Sequence, residues 1–476
     1  MKTSSNCNHD RATAGGRERP RWPWALLLAA SGCIQWPSTE LEGSQPAAGE
    51  RGSVEAPAIA GGARAPLASA EAAQSQSTAG STGTWAWHAE LSSERAPLIA
   101  AGLSASGGLA FVASTASVGL DGSSSSAGDA QLAAYASADG APLWALQLGS
   151  AEADAASGVA AAGERVVLAG RTAGSLGAPQ QGFGDAFVAA YSDVGEQLWI
   201  RQLGSSQPDA ALGVSLDASG AVVVAGDTRG ALEGVHEGAD RDAFLAKLGP
   251  DGELIFTRQL GSQVGYDDVA VSVATDVGGD VVIAGHTFGG MQGGGNGSAD
   301  AFVARYSGDG ALLWTAQLGG GDYDTAEAVS VGATGDVYVA GQTGGFLAGG
   351  PGVVVGSRPL LAKYSQTGEL LWTTELEDAE MGSASAVGID ATGEVWIAGH
   401  TSASLAGPNQ GTYDTFLARF SPEGERLSVL QVGSSDADRA VGLGLDGDRL
   451  LLLSKTTRGG DAAFDGALLS GLDLPR

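Results

Sequence analysis

Seven times, at intervals of 55 to 58 residues, the chain returns to an aromatic-led segment close to W-x-x-Q-L-G. The anchors are Trp87, Trp144, Trp199, Phe256, Trp314 and Trp372, with Ser428 in the seventh place; LWALQLG (143–149) and LWTAQLG (313–319) are typical. A fixed period of this size marks repeated supersecondary units, none of which can bury its apolar face alone. From Trp85 to Arg476 the repeats take 392 residues, or 56 per unit, too many for one ordinary core and natural for a modular array.

Each unit contains four short β-like runs, here called A to D. In the fifth unit they read AEAVSV (326–331), DVYVAGQT (336–343), LLAKYS (360–365) and ELLWTTEL (369–376). Alternating β-branched and aromatic residues with Gly or Asp-Gly punctuation predict antiparallel strands, and no unit holds a helical period long enough to compete. The C–D turn keeps a glycine at Gly140, Gly195, Gly252, Gly310, Gly368 and Gly424, as a tight hairpin with positive φ requires. Run B ends in A-G-x-T at 169–172, 225–228, 284–287, 340–343 and 398–401. Seven such units predict an all-β fold, a seven-bladed β-propeller of four-stranded antiparallel blades around a channel. The chain starts with a D run (WAWHAEL, 85–91) and ends with a C run (GALLSGL, 466–472). The N-terminal strand is therefore expected to complete the last blade and close the ring without an exposed edge.

The motifs G-D-V-x-V-A-G-x-T, D-A-F-V-A-R-Y-S (300–307) and G-E-L-L-W also resemble the bacterial SBBP-type β-propeller repeats, which are similar in layout to NHL repeats. The resemblance covers 85–476 and implies an extracellular repeat protein; it is nearly silent on chemistry. Units one and seven depart most from the consensus, as terminal repeats do.

The segment before the repeats reads as an address. Arg17, Arg19 and Arg21 precede a short apolar run (WALLLAA, 24–30), and small residues then lead to Cys33. The run is too short to span a bilayer and suits a signal peptide over 1–32. Ala30-Ser31-Gly32-Cys33 resembles a bacterial lipobox, which implies that Cys33 is lipidated and heads the mature chain. Residues 33–84, rich in Ala, Ser, Gly and Pro, cannot bury enough surface to fold and read as a tether spanning about 35–40 Å. These features place the propeller in the cell envelope, lipid-anchored at the outer membrane or cell surface, with a periplasmic or secreted protein as the alternative. Cys7 and Cys33 are the only cysteines, so no disulfide framework holds the repeats.

Net charge is −29, and 1–32 hold five basic against two acidic residues, leaving −32 for the rest. Such a field repels phosphate backbones and anionic lipid, so nucleic acid is excluded as a partner and the membrane is reached only through the anchor. The propeller is expected to be monomeric, and the expected partner is an envelope protein or polysaccharide.

Catalytic motifs are missing: no H-E-x-x-H, P-loop, G-x-S-x-G or D-x-[DN]-x-[DN]-G loop occurs. Asp185, Asp242, Asp300 and Asp414 begin run C, and Asp154, Asp209, Asp267 and Asp324 precede run A. Such a ring of carboxylates could hold Ca²⁺, but turn capping by Asp is the favoured reading, and no cofactor or metal is assigned. The Trp of run D packs blades rather than sugars. Long, variable D–A and B–C loops leave from one face, where recognition is expected. The x of A-G-x-T and its counterparts is polar in every unit yet changes: Ser114, Arg171, Asp227, His286, Gln342, His400 and Lys455. These seven are expected to form a polar ring on the loop face, the competing reading being a solvated strand end. Function then reads as a non-catalytic binding or assembly module. The alternative is an envelope lyase or hydrolase working at the channel mouth, which a clustered Tyr/Arg/His set would favour.

Overall fold

A computed structural model describes 85–91, 98–118 and 124–474, apart from 233, 235–239, 263–264, 292–297, 321, 345–355, 377, 380 and 458–463. The expected signal peptide, Cys33 and the tether lie outside the described residues. Seven four-stranded antiparallel sheets form a closed seven-bladed β-propeller. In blade 2, for example, strands A to D are Asp154–Ala162, Arg165–Thr172, Asp185–Ser192 and Gln197–Leu203. Blade 7 takes Ala437–Asp446, Arg449–Thr457 and Phe464–Asp473 from the end of the chain and Trp85–Leu91 from its beginning. Trp87 pairs with Gly471 and Leu91 with Ala467, so ring closure runs as the strand count predicts.

Strand A is innermost, and each packs against its counterparts in the two adjacent blades. Every A–B ladder skips one residue of strand A: Ala101, Ser157, Leu212, Val271, Glu327, Ser385 and Val441. The bulge tightens the twist and drives an A-strand carbonyl toward strand B. This accounts for the glycine of A-G-x-T. A Cβ on Gly226 would lie 1.9 Å from the Ala210 oxygen, and one on Gly285 would lie 1.8 Å from that of Val269. A close approach, not φ, selects glycine there.

Apolar clusters sit between blades, so each blade borrows half its core from the next. The Phe residues of D-A-F (Phe187, Phe244, Phe302) are fully buried at these seams. The D-strand aromatic clamps the following blade. Trp199 lies 2.7 Å from where a Cβ of Gly252 would stand, and its Nε1 donates to the Pro250 carbonyl at 2.8 Å. Gly252 also has φ 79°, so the turn needs glycine twice over. Trp144 on Gly195, Trp314 on Gly368 and Trp372 on Gly424 repeat the arrangement, and Trp87 of the closing strand does the same to Gly140. The periodic tryptophans are blade-packing residues.

Candidate functional site

The loop face is built on repeated side-chain staples. In strand C the first Asp accepts from the Gln of W-x-x-Q-L-G seventeen residues on: Gln202 to Asp185 at 2.7 Å, Gln259 to Asp242 at 2.7 Å, Gln317 to Asp300 at 2.6 Å and Gln431 to Asp414 at 2.9 Å. The same glutamines hold the B–C loop, accepting from the backbone N–H of Leu176, Leu232, Met291 and Leu405. Blade 5 exchanges both partners at once, with Arg358 in the Asp place and Glu375 in the Gln place, 3.1 Å apart. A second set of acids starts strand A. Asp209 accepts from Ser205 N at 2.7 Å and from the Thr228 hydroxyl, so the Thr of A-G-x-T ties the B–C end to the D–A loop. Asp268, not Asp267, fills this place in blade 4, accepting from Ser262 N at 2.6 Å. The Asp-Asp doublet there moves the expected capping residue by one. These acids cap turns, and burial pushes the carboxyls of Asp154, Asp209, Asp268 and Asp324 up while their hydrogen bonds pull them back. No group of three or more His, Cys, Asp or Glu among the described residues is placed to hold a metal.

Six of the seven x residues take equivalent ladder positions at this face, but Ser114 does not: it opposes Ala100 just before the bulge, the place Gly170 takes in blade 2, and Thr115 is the counterpart of x in blade 1. Ser114, His400 and Lys455 are buried, and Arg171, Asp227, His286 and Gln342 are half-buried. Two continuous groups emerge. Along blades 2 to 4, Arg171 and Asp227 interact, Arg241 approaches Asp227 at 3.8 Å and Asp267 at 3.6 Å, and both Arg241 and Asp267 act on His286. His286 continues into aromatics, edge-on to Phe288 at 5.9 Å, which meets Tyr323 of the next junction at 6.2 Å. Burial and Arg241 push His286 down to about 4, and burial pushes the Asp227 carboxyl up against the pull of Arg241.

The second group joins blades 6 and 7. His400 stacks edge-on against Tyr413 at 5.1 Å, and the Arg439 guanidinium lies 4.6 Å from the centre of the Tyr413 ring. Lys455 stands directly opposite Arg439 in the A–B ladder. Burial, with Arg439 and then Lys455 behind it, pushes His400 down to about 3, and burial with Arg439 pushes Lys455 down to about 8. Ser114 and Gln342 join neither group: Ser114 lies between Ala100 and Gln131, and Gln342 between Thr325 and Pro359.

Asp267 shows by repeat position only as an expected turn cap, and three members of these groups escape such a reading altogether: Arg241, Tyr413 and Arg439. Their only sequence signal is charge or aromaticity next to the D–A and B–C loops. Glu327 escapes it too. It is the one charged residue among those lining the axial channel, hydrogen-bonded by Thr325 at 2.8 Å, with burial pushing its carboxyl up. The channel space, about 220 Å³, is walled by residues such as Leu212, Val271 and Val441. That is below the roughly 300 Å³ of ordinary ligand clefts, so the channel itself offers little room for chemistry. A wider depression of about 420 Å³, lined by Glu164, Arg165, Asp193 and Glu196, lies at the A–B and C–D turns on the opposite face.

No family model matches the chain. The Neurospora crassa Pan2 WD40 domain is similar in fold, with a TM-score of 0.47 at 8% identity, covering 80% of this chain and 90% of that one. The polysaccharide lyase Uly1 follows at 0.46 and 10%, covering 82% and 100%. The propeller domain of the Trilobed protease from Pyrococcus furiosus gives 0.45 and 8%, covering 79% and 93%. Among curated proteins, the regulatory protein FlaEY of Caulobacter vibrioides is 28% identical over an alignment of 150 residues, covering 28% of this chain and 16% of that protein.

Proposed function

We propose that the protein is a non-catalytic binding or assembly module of the cell envelope, an SBBP-type propeller lipid-anchored through Cys33, which presents its loop face to an envelope protein or polysaccharide. The observation that carries this reading is the asymmetry of the loop face on a symmetric scaffold. Asp, Gln, Trp and Gly repeat because they hold the blades, whereas the junction residues change from blade to blade and gather into two unlike charged groups. Recognition is the use to which such variable loops over a fixed frame are ordinarily put. The test is binding of the full chain to isolated envelope protein and polysaccharide fractions, with Arg171→Ala and Arg241→Ala as loop-face variants. Each is expected to weaken binding by about 1 kcal/mol or more with the fold intact; equal binding by wild type and both variants refutes the reading.

An envelope lyase or hydrolase is the second reading, and the Tyr413, His400 and Arg439 cluster is what favours it. Exposure weighs against it. Tyr413 is 8% and His400 5% exposed, so both side chains are largely withdrawn from a polymeric substrate, while Arg439 keeps an exposed part. Incubating the full chain with uronate-containing polysaccharides and following absorbance of new double bonds decides between them; turnover lost in Tyr413→Phe would make the enzyme the better account.

A further inference from the structure

The axial channel holds one charge that the fold does not use. Strand A turns its bulge residue out of the ladder in every blade, and all seven are half-buried. Ala101, Leu212, Val271, Ser385 and Val441 line the channel from this position, as does Glu327 in blade 5. The frame therefore accepts a small or aliphatic residue there, and blades 4 and 7 both use Val. A carboxylate serves folding worse than any of these, since a buried charge is costly unless it is paired. Glu327 has no such pairing: among the described residues every other one lining the channel is uncharged, and no neighbouring charge acts on its carboxyl. The Thr325 hydroxyl donates to it at 2.8 Å, which satisfies one oxygen and leaves the charge unmatched. Burial accordingly pushes the carboxyl up.

The space beside this carboxyl has a size and a lining that select its occupant. At about 220 Å³ it takes roughly seven waters at ~30 Å³ each, too little for a sugar or nucleotide and enough for a short alkyl chain. Val159, Val214, Val273, Val329, Val387 and Leu443 make most of its wall hydrocarbon. Such a wall stabilises an apolar stem, and the lone carboxylate stabilises a cation at its tip. A divalent metal is a poorer match. Ca²⁺ takes six to eight oxygens, and no group of three or more His, Cys, Asp or Glu among the described residues is placed to hold one. An ammonium group brings three donors and a single charge, which one carboxylate and a neighbouring hydroxyl can meet.

We propose that the axial channel binds a primary ammonium group on a short alkyl stem, the chemistry shared by a free alkylamine and a lysine side chain, with Glu327 as its counter-ion. The site goes beyond the loop-face reading and does not depend on it. A net charge of −29 draws such a cation toward the protein.

The experiment is thermal unfolding of the full chain at about pH 8, where an alkylamine is charged, in n-butylammonium chloride against sodium chloride at equal ionic strength. A ligand that binds only the folded state raises the midpoint in a saturable way. The expected result is such a rise in the wild type, absent with 1-butanol, which has the stem without the charge. It should vanish in Glu327→Gln, which keeps the shape, and in Glu327→Val, which gives blade 5 the residue that blades 4 and 7 already carry. Both variants should unfold at or above the wild-type midpoint in sodium chloride alone. N-acetyl-lysine methylamide as a second probe separates the sources: a saturable rise with it as well admits a lysine side chain from a partner, and a rise with n-butylammonium alone restricts the site to free amines. No saturable rise, an equal rise with 1-butanol, or an equal rise in either variant overturns the proposal. So does a lower midpoint of both variants in sodium chloride, which would make Glu327 a structural residue.

Discussion

The two junction histidines should make the propeller acid-sensitive in a defined window. His400 is surrounded by Arg439, Lys455 and Tyr413, and His286 by Arg241, Asp267 and Phe288. Burial first, and these cations second, push them down to about 3 and about 4. An unfolded chain binds the histidine proton near pH 6.5. Between pH 6.5 and the folded values the unfolded state therefore holds more protons, and stability falls as pH falls. At pH 4 the difference is about 2.5 log units for His400 and about 2.2 for His286, or about 3 kcal/mol each at 1.36 kcal/mol per unit. Together they remove about 6 kcal/mol between pH 7.5 and 4, a large share of a typical stability. The raised carboxyls of Asp154, Asp209, Asp268 and Asp324 act with the opposite sign, since the folded state protonates them first. For that reason the informative quantity is the difference between curves. Urea unfolding followed by tryptophan fluorescence at pH 7.5, 6, 5 and 4 should show the wild type losing about 3 kcal/mol more than His400→Gln, and about 6 more than the double variant with His286→Gln. Parallel curves for all three proteins would refute the argument.

Three further outcomes follow from the packing. Gly285→Ala should destabilise by about 3 kcal/mol or more, since its Cβ would meet the Val269 carbonyl at 1.8 Å, whereas Gly279→Ala, which meets nothing, carries only the strain of its φ of 88°; urea midpoints compare the two. Removing 1–91 strips strand D from blade 7 and frees the edge of Phe464–Asp473, so it should lower the melting temperature or cause aggregation, while removing 1–80 should do neither; equal melting would place closure elsewhere. R358D alone puts two carboxylates at the 3.1 Å contact with Glu375 and should cost about 2 kcal/mol, and E375Q added to it should restore stability by recreating the Asp–Gln staple of the other blades.

The scaffold was legible because its constraints repeat. A bulge favours the glycine of A-G-x-T and a positive-φ turn under an aromatic ring favours the glycine of the C–D hairpin; the first recurs in blades 2 to 6 and the second in blades 1 to 6, so period alone exposes both. Closure was legible as well, since a chain that starts with D and ends with C has one blade to complete. The Asp–Gln staple lay within reach through its spacing of seventeen residues in blades 2, 3, 4 and 6 and eighteen in blade 1, and blade 5, where both partners change together, is its clearest signature.

The loop face was much less legible, for a physical reason. Aligning repeats compares equivalent positions, but the neighbours of a junction residue are not its equivalents. His400 meets Tyr413 from its own B–C loop and then Arg439 from strand A of the next blade; Asp227 meets Arg241, which in turn reaches Asp267 at the following junction. A position that stays polar but varies suggests either solvent or an asymmetric ligand, and the fold supplies a third cause: the adjacent blade is itself asymmetric there, so part of the variation at x is complementarity within the chain. Arg171 with Asp227 and Arg241 satisfies itself in this way. At the junction of blades 6 and 7 the complementarity is aromatic instead, with Tyr413 standing between His400 and Arg439.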